Sequence, residues 1–420
     1  MRISTNEFLL GSLNNMLSQQ TNVNQLNQEI ATGQSMLDAS SNPAGASEAV
    51  GIANTIASYN YDLGNAQAAT QSLQNGVNAL QQVTTLLEQV QQTAVQAANV
   101  SIAPADRQAL AQTAQAALQQ LIQLANTQGP NGGYLFSGTK ANTVPFSTQT
   151  NGQVVFNGDA GSNVVEIGPS LTAPSTITGS GVFTGIPAGG NGVAVTAAGT
   201  NTGMSYALAA GVTNVSQVAA ARLAGTQYAI SFAAGGGGSL TYAVASGTGT
   251  PGSAGFAATS GVVAAGSFSA GSDLTFGGID VRVTGTPAVG DSFDVQTNAT
   301  SSMFQTVQDL VTALQTTPAN AAGNAQIQQQ IENVLANLGG AQTSALTAQA
   351  SLGSSLAEVQ AVQQQDSNVN TNAESQLSSL QSVNLPEVMA NYSESITALQ
   401  ASQLAFAKVQ GLTLFNYIQA

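Results

Sequence analysis

The side chains able to do chemistry in this 420-residue chain are carboxylates, hydroxyls and amides, because it contains no His and no Cys. The closest carboxylate pair in its glycine-rich middle is Asp291 and Asp294, with Asp273 and Asp280 upstream. Two such acids can cleave a glycosidic bond if a cleft holds one of them protonated. In a Gly/Thr-rich stretch, however, Asp more often ends a strand or closes a turn, and that is the reading adopted for all four. The glycine clusters make no phosphate loop: no Gly-Lys-Ser/Thr occurs, and Gly247-Thr248-Gly249 lies between strands rather than before a helix. There is no Asp-x-Asp-x-Asp ladder for calcium. Without His or Cys, zinc fingers, thiolate clusters, His-ligated haem and His-based triads are excluded. No catalytic, cofactor-binding or metal-binding residue is assigned, no cofactor is expected, and the chain is expected not to be an enzyme.

Charge narrows the partners. Six Lys+Arg against twenty Asp+Glu leave a net charge of −14. Six cations cannot track a phosphate backbone, so nucleic acid is excluded. The charge-free stretches Ile167–Ala221 and Leu223–Ser272 are broken by Gly, Pro, Asn, Ser and Thr, which predicts no membrane insertion. The opening residues have one positive side chain, Arg2, then Glu7 and a short apolar run, and do not read as a cleaved secretory signal.

The elements that must position any site follow from composition. Residues 141–300 hold 29 of the 44 glycines and 5 glutamines, whereas the flanks hold 40 glutamines. Gln favours helix and Gly opposes it, so two helical flanks should enclose an inserted β region. A 4-3 apolar spacing runs Ile52, Ile56, Tyr59, Leu63, Ala66, Thr70, Leu73, Val77, Leu80, Thr84, Leu87, Gln91, Ala94, Ala98. It recurs from Ile327 through Val334, Leu338, Ala345, Leu352 and Val359 to Asp366, Ala373 and Val383. Repeats this long predict helices wound on helices. The middle alternates apolar and polar residues at Tyr228, Ile230 and Phe232, at Leu240, Tyr242 and Val244, at Ile279, Val281 and Val283, and at Phe293 and Val295.

The expected fold is therefore α+β: an elongated helical bundle or coiled-coil rod built from both chain ends, with an inserted, Gly-rich, mainly antiparallel β region. The expected domains are 1–43 with 385–420 as terminal assembly helices, 44–140 with 301–384 as the helical rod, and 141–300 as the insertion, with a division into two subdomains expected near 200.

Both ends carry apolar seams: Leu9, Leu13, Met16, Val23 and Ile30 at one, Leu385, Met389, Tyr392, Ile396, Leu399 and Phe406 at the other. Leu412, Leu414, Phe415 and Ile418 add large apolar residues where a chain end is normally polar. These residues are the candidate subunit-assembly surface, predicted to pair with each other and with neighbouring subunits. Their apolar positions are sparse for one helix pair, so the ends are expected to order on assembly.

Specific motifs point further. Met1-Arg2-Ile3-Ser4-Thr5, Glu29-Ile30-Ala31-Thr32-Gly33 with Ser41-Asn42-Pro43-Ala44, and Asn131-Gly132-Gly133-Tyr134-Leu135-Phe136-Ser137-Gly138 with Pro145-Phe146 resemble the flagellar hook-associated protein 3 family. So does the end, Leu399–Ser402 through Leu412–Ile418. These are hook–filament junction proteins of the flagellin superfamily. The resemblance implies an extracellular flagellar protein, exported by the type III apparatus without signal cleavage. It implies a ring of copies of itself between hook-associated protein 1 and flagellin, and an export chaperone that masks the C-terminal helix. The alternatives are flagellin itself, against which the Tyr134–Gly138 motif speaks, and a secreted hydrolase or adhesin on a coiled-coil stalk, against which the paired terminal seams speak.

Overall fold

The computed structural model describes residues 5–35, 42–99, 102–249 and 257–418. The helical flank begins with α1 (Thr5–Thr32), α2 (Pro43–Ala97) and α3 (Pro104–Ala125). Two hairpins follow, β1 (Phe146–Thr148) with β2 (Val154–Phe156) and β3 (Val164–Gly168) with β4 (Leu171–Pro174), then the single turn α4 (Ser180–Phe183) and β5 (Ile186–Pro187). Next come β6 (Ala194–Ala197), β7 (Met204–Val212), α5 (Val215–Leu223), β8 (Thr226–Ala234), β9 (Leu240–Thr248) and β10 (Ala257–Ser267). They continue with β11 (Asp273–Phe276), β12 (Ile279–Thr286), β13 (Ser292–Gln296) and β14 (Thr300–Ser301). The chain then returns to helix in α6 (Met303–Gln315), α7 (Ala321–Gln381) and α8 (Leu385–Ile418). Long helices with antiparallel sheets make the class α+β, as the sequence pattern predicts. No described helix is long and apolar enough to cross a membrane.

Helix starts follow local chemistry. Pro43 and Pro104 open α2 and α3, where a missing backbone N–H costs nothing. Asn42 accepts from Gly45 N at 2.9 Å, and Ser302 caps α6 by accepting from Gln305 N at 2.9 Å. Gly33, at φ +68°, ends α1 with its N–H on Glu29 O at 2.8 Å.

The chain divides into two compact units, Met1–Gly64 with Gln363–Ala420, and Asn65–Val362. In the first, α1 and α8 run antiparallel. Ser35 N donates to Gln381 O at 2.6 Å and Val383 N to Gly33 O at 3.2 Å at one end, while Ser402 Oγ reaches Gln19 Oε1 at 3.2 Å further along. Asn60 on α2 accepts from Asn370 on α7 at 3.2 Å.

The second unit has two cores. One gathers the seam residues Ala66, Leu73, Leu80, Leu87 and Ala94 of α2 and Ile331, Val334, Leu338 and Ala345 of α7, all buried. Small residues Ala111, Ala114 and Ala117 of α3 pack on Val307, Leu310 and Leu314 of α6. Gly76 faces Leu352 and Gln342 donates to Gln91 at 3.1 Å, so α2 and α7 are antiparallel here. The same core takes in Phe146, Ile167, Ala173, Phe183 and Ile186 from the segment between α3 and β6. Phe146 joins three rings: Phe156 at 5.2 Å, Phe183 at 5.3 Å and Phe304 at 4.9 Å between centroids. Phe136 meets Phe183 edge-on at 5.1 Å.

The other core lies within residues 193–295. A five-stranded antiparallel sheet ordered β10-β9-β8-β13-β6 and a three-stranded sheet ordered β11-β12-β7 bury Tyr228, Ile230, Phe232, Val244, Ile279, Val281, Val283, Phe293 and Val295. These are the alternating positions of the sequence pattern. Gly277 and Gly278, at φ +58° and +80°, make the two-residue turn between β11 and β12 that the right-handed strand twist favours. The chain enters and leaves side by side, since Gln296 pairs with Ala194 and Ala299 N donates to Gly192 O at 3.0 Å. Three α7 amides at i, i+4 and i+8 hold this β module and the turn that leads into it. Gln329 exchanges hydrogen bonds with Ala207 N and O, Asn333 donates to Val195 O at 2.9 Å, and Asn337 accepts from Gly189 N at 2.8 Å.

Phe146→Ala should remove a ring that contacts three others and cost about 3–5 kcal/mol, read as a lower midpoint in thermal or denaturant unfolding. Phe268→Ala, at the margin of the β module's core and in ring contact with Phe232, should cost less.

Candidate functional site

The four carboxylates read as turn and strand-end residues are placed as follows. Asp291 is buried with both oxygens on backbone amides, from Thr202 N and Ala288 N at 2.8 Å and Gly203 N at 3.1 Å. It ties two loops of the β module together. Asp294 lies on β13 beside Thr196 and Ala229, and partial burial pushes its carboxyl above the usual range. Asp273 forms a two-point pair with Arg282, at 2.8 and 3.0 Å, which holds its carboxyl below the usual range. Asp280 accepts from Thr275 Oγ1 at 2.6 Å. All but Asp294 are engaged by named partners in the module. Among the described residues, no group of three or more Asp and Glu could hold a metal ion.

The motif Asn131–Gly138 is a buried brace. Leu135, Phe136 and Ser137 are buried, and Leu135 N donates to Thr127 O at 2.9 Å while Ile177 N donates to Leu135 O at 2.8 Å. Asn126 clasps Phe146 from both sides, donating to its carbonyl and accepting from its N–H, each at 2.9 Å. Gly138, at φ +71°, sits against Asp159, which takes hydrogen bonds from the Thr139 hydroxyl, Thr139 N and Gly161 N. These bonds, the hydroxyl's first, hold the Asp159 carboxyl below its usual range. This motif positions the segment that packs on α6.

Among the described residues of its unit, the α1–α8 pair carries apolar side chains both on a mutual seam and on its outer surface. Ser12, Met16, Gln19, Val23, Leu26 and Ile30 are half-buried at 4-3 spacing on α1. On α8 Val388 is buried, and Tyr392, Ile396, Leu399, Ser402 and Phe406 are half-buried. The predicted residues Met16, Val23, Ile30, Tyr392, Ile396, Leu399 and Phe406 thus lie on the mutual seam. Leu13, Leu385 and Met389 do not; they are exposed. Leu13 shares with Leu10 and Leu17 a second stripe at i, i+3 and i+7, exposed at 38%, 55% and 53%. Leu404 on α8 is exposed as well. The reading of single seams passed over Leu10, Leu17 and Leu404, although the Leu10-Leu13-Leu17 spacing would have found the stripe. The side chains of Leu9, Leu412, Leu414, Phe415 and Ile418 lie outside the described residues.

Known proteins resemble parts of this chain. Residues 3–141 match the bacterial flagellin N-terminal helical region. The flagellar hook-associated protein 3 of Salmonella typhimurium is 30% identical over 186 residues, 44% of this chain and 58% of that protein. The chain therefore spans about half the length of the curated relatives it matches. The crystal structure of Xanthomonas campestris FlgL is 30% identical, with a TM-score of 0.62 over 77% of this chain and 99% of that one. The chain belongs to the flagellar hook-associated protein 3 family. A second member, the flagellar junction protein FlgL of Legionella pneumophila, aligns with a TM-score of 0.68 at 28% identity, over 80% of this chain and 99% of that one. Within this family membership, the brace motif and the terminal helix pair are the parts of the chain that the sequence resemblance had singled out.

Val23→Ser, on the mutual seam, should loosen α1 and α8 by about 1 kcal/mol, whereas Leu13→Ser, on the free stripe, should stay within about 0.5 kcal/mol. Amide exchange along both helices of the single chain separates the two. Equal losses would put Leu13 on the seam.

Proposed function

We propose that the protein is a structural component of the bacterial flagellum that joins hook to filament by packing its terminal helices against those of neighbouring subunits. The observation that carries this reading is the uncovered leucine stripe on the α1–α8 pair. Exposed apolar rows of this kind are buried in assemblies, and covering the exposed half of each leucine against a neighbour is worth roughly 1 kcal/mol. The names of the relatives, hook-associated protein 3 and junction protein, support the same role. In this reading the protein acts after export, outside the cell, as a ring of identical copies. It touches hook-associated protein 1 on one side and flagellin on the other, and a cytoplasmic export chaperone covers α8 beforehand. Its role is structural rather than catalytic, and the candidate contacts are Leu9, Leu13, Leu385, Met389, Leu412, Leu414, Phe415 and Ile418, with the seam residues holding the pair together. Cells lacking the protein should build hooks and shed flagellin unpolymerised. Filaments of normal length in those cells would overturn the assignment.

Two substitutions divide the proposal. Leu399→Asp puts an unpaired charge into the half-buried seam and should be secreted normally yet leave cells without stable filaments. Normal motility in that variant would show that assembly does not depend on the α1–α8 seam. The β module is proposed to be dispensable for assembly. Its two connections lie side by side, so replacing residues 193–298 by a short Gly/Ser linker should preserve export and filament growth. Export without filaments in that variant would make the β module part of the junction.

A further inference from the structure

Five Asn-Gly pairs occur in the chain: Asn75-Gly76, Asn131-Gly132, Asn151-Gly152, Asn157-Gly158 and Asn191-Gly192. An asparagine followed by glycine can lose ammonia without an enzyme, because no side chain on the glycine hinders its backbone nitrogen from reaching the carboxamide. The reaction requires a carboxamide free to swing over that nitrogen, a nitrogen released from its hydrogen bond, and open space for the ring that forms. The fold sets these conditions differently at the five pairs.

Four are held. Asn75 lies inside α2, where the helical ladder keeps Gly76 N on a backbone carbonyl. Asn151 is exposed, but its Oδ1 accepts from Gln153 N and its Nδ2 donates to Gln153 Oε1, both at 3.0 Å. Gly152 N donates across the same turn to Gln149 O at 2.9 Å. Asn157 is half-buried, and its Nδ2 donates to Ser147 Oγ at 2.9 Å and to Val144 O at 3.3 Å. Asn191 Oδ1 accepts from Val193 N at 3.0 Å, while Gly192 N is held on Ala188 O at 2.7 Å.

Asn131 differs. It is exposed, and among the described residues its carboxamide has no partner. Nothing lies within 4 Å of where a Cβ on Gly132 would stand. Gly132 N donates to Gly129 O at 3.1 Å, a longer bond than those of Gly152 and Gly192.

We propose that Asn131 is the residue at which the folded chain deamidates spontaneously. Gly132 N loses its proton to solvent and bonds to Asn131 Cγ; the Cγ–Nδ2 bond breaks, and Nδ2 leaves as ammonia. Water then adds to either carbonyl of the resulting five-membered imide, and the ring opens to aspartate or isoaspartate. One water is consumed, one ammonia is released and nothing is oxidised or reduced. Both products add a negative charge, and isoaspartate also lengthens the backbone by one carbon. The turn it lengthens is closed by Gly129 N on Gly133 O at 2.7 Å and leads directly to Leu135 N on Thr127 O at 2.9 Å. The modification therefore loosens the buried brace Leu135–Ser137 from its exposed end.

The full-length protein, aged in mildly alkaline buffer, is mapped by mass spectrometry for the replacement of NH2 by OH at each pair, with isoaspartyl methyltransferase labelling to identify the product. Asn131 should react roughly fivefold faster than Asn151 or more, the worth of one net hydrogen bond. In guanidinium chloride the five pairs should react at similar rates, because the contrast comes from the fold. Asn131→Gln should lose the main product in native buffer. A faster reaction at any of the other four pairs in the folded protein, or the same ranking in guanidinium chloride, would overturn the assignment. Amide exchange at Leu135 should rise in aged wild type and not in aged Asn131→Gln. Unchanged exchange in fully deamidated protein would overturn the loosening of the brace.

Discussion

The contact on which the larger unit depends is the ring cluster of Phe136, Phe146, Phe156, Phe183 and Phe304. Residues 126–302 leave the helices and must come back to them, and these rings are where departing and returning chain meet. Each Phe of this kind removes 150–250 Å² from water, and edge-on pairs add roughly 0.5–1.5 kcal/mol beyond area. Phe304 is the second residue of α6, so the cluster also fixes where the returning helix begins. Its closeness dictates small residues nearby. A Cβ on Gly179 would come within 2.6 Å of Phe136 O and 2.9 Å of the Phe146 ring. The Tyr134–Gly138 motif brings its own Phe into that cluster, which is a packing reason for its residues to hang together.

Elsewhere amides do what charge does in other proteins. The one ion pair among the described residues, Arg282 with Asp273, is exposed and worth little. Gln329, buried, satisfies three backbone groups of the β module and would be costly there if any were left unmet. Gln342 with Gln91, and Asn370 with Asn60, place the same chemistry between α2 and α7. A neutral amide donates and accepts at once and needs no counter-charge. A chain with so few cations can therefore specify helix register through Gln and Asn.

What could be read ahead of the structure was what periodicity encodes. The 4-3 seams of α2 and α7 named above fall on buried or half-buried positions, and the alternating residues of β8, β12 and β13 point into one core. Periodicity says nothing about long-range partners, so the ring cluster was invisible although every member was in view. The change in glycine content near 141 does not mark a change of core. Phe146, Ile167 and Phe183 still belong with the helices, and the second core starts at Val193. α5 escaped because nine residues inside a glycine-rich stretch carry little helical signal, though Asn214 caps it by accepting from Gln217 N. At the termini, the leucine at position 13 suggests a seam residue by its type alone. The structure puts Ser12 there instead, one position away, and turns Leu13 outward.

That one-residue difference matters for the ends as a whole. Among the described side chains of α1 only Glu29 is buried, and of α8 only Val388, whereas α2 buries a residue on nearly every turn beyond Asp62. A helix held by half-buried Ser12, Met16, Gln19, Val23, Leu26 and Ile30 gains little from its partner against the roughly 1–2 kcal/mol that each ordered residue costs. The two ends are helices packed on each other. Their margin is nevertheless thin, and three leucines of α1, Leu10, Leu13 and Leu17, face away from the seam. Spending leucine outward and serine inward is unfavourable for a lone chain. It becomes favourable once another surface covers the outward face, and by linkage whatever binds there tightens the inner seam as well.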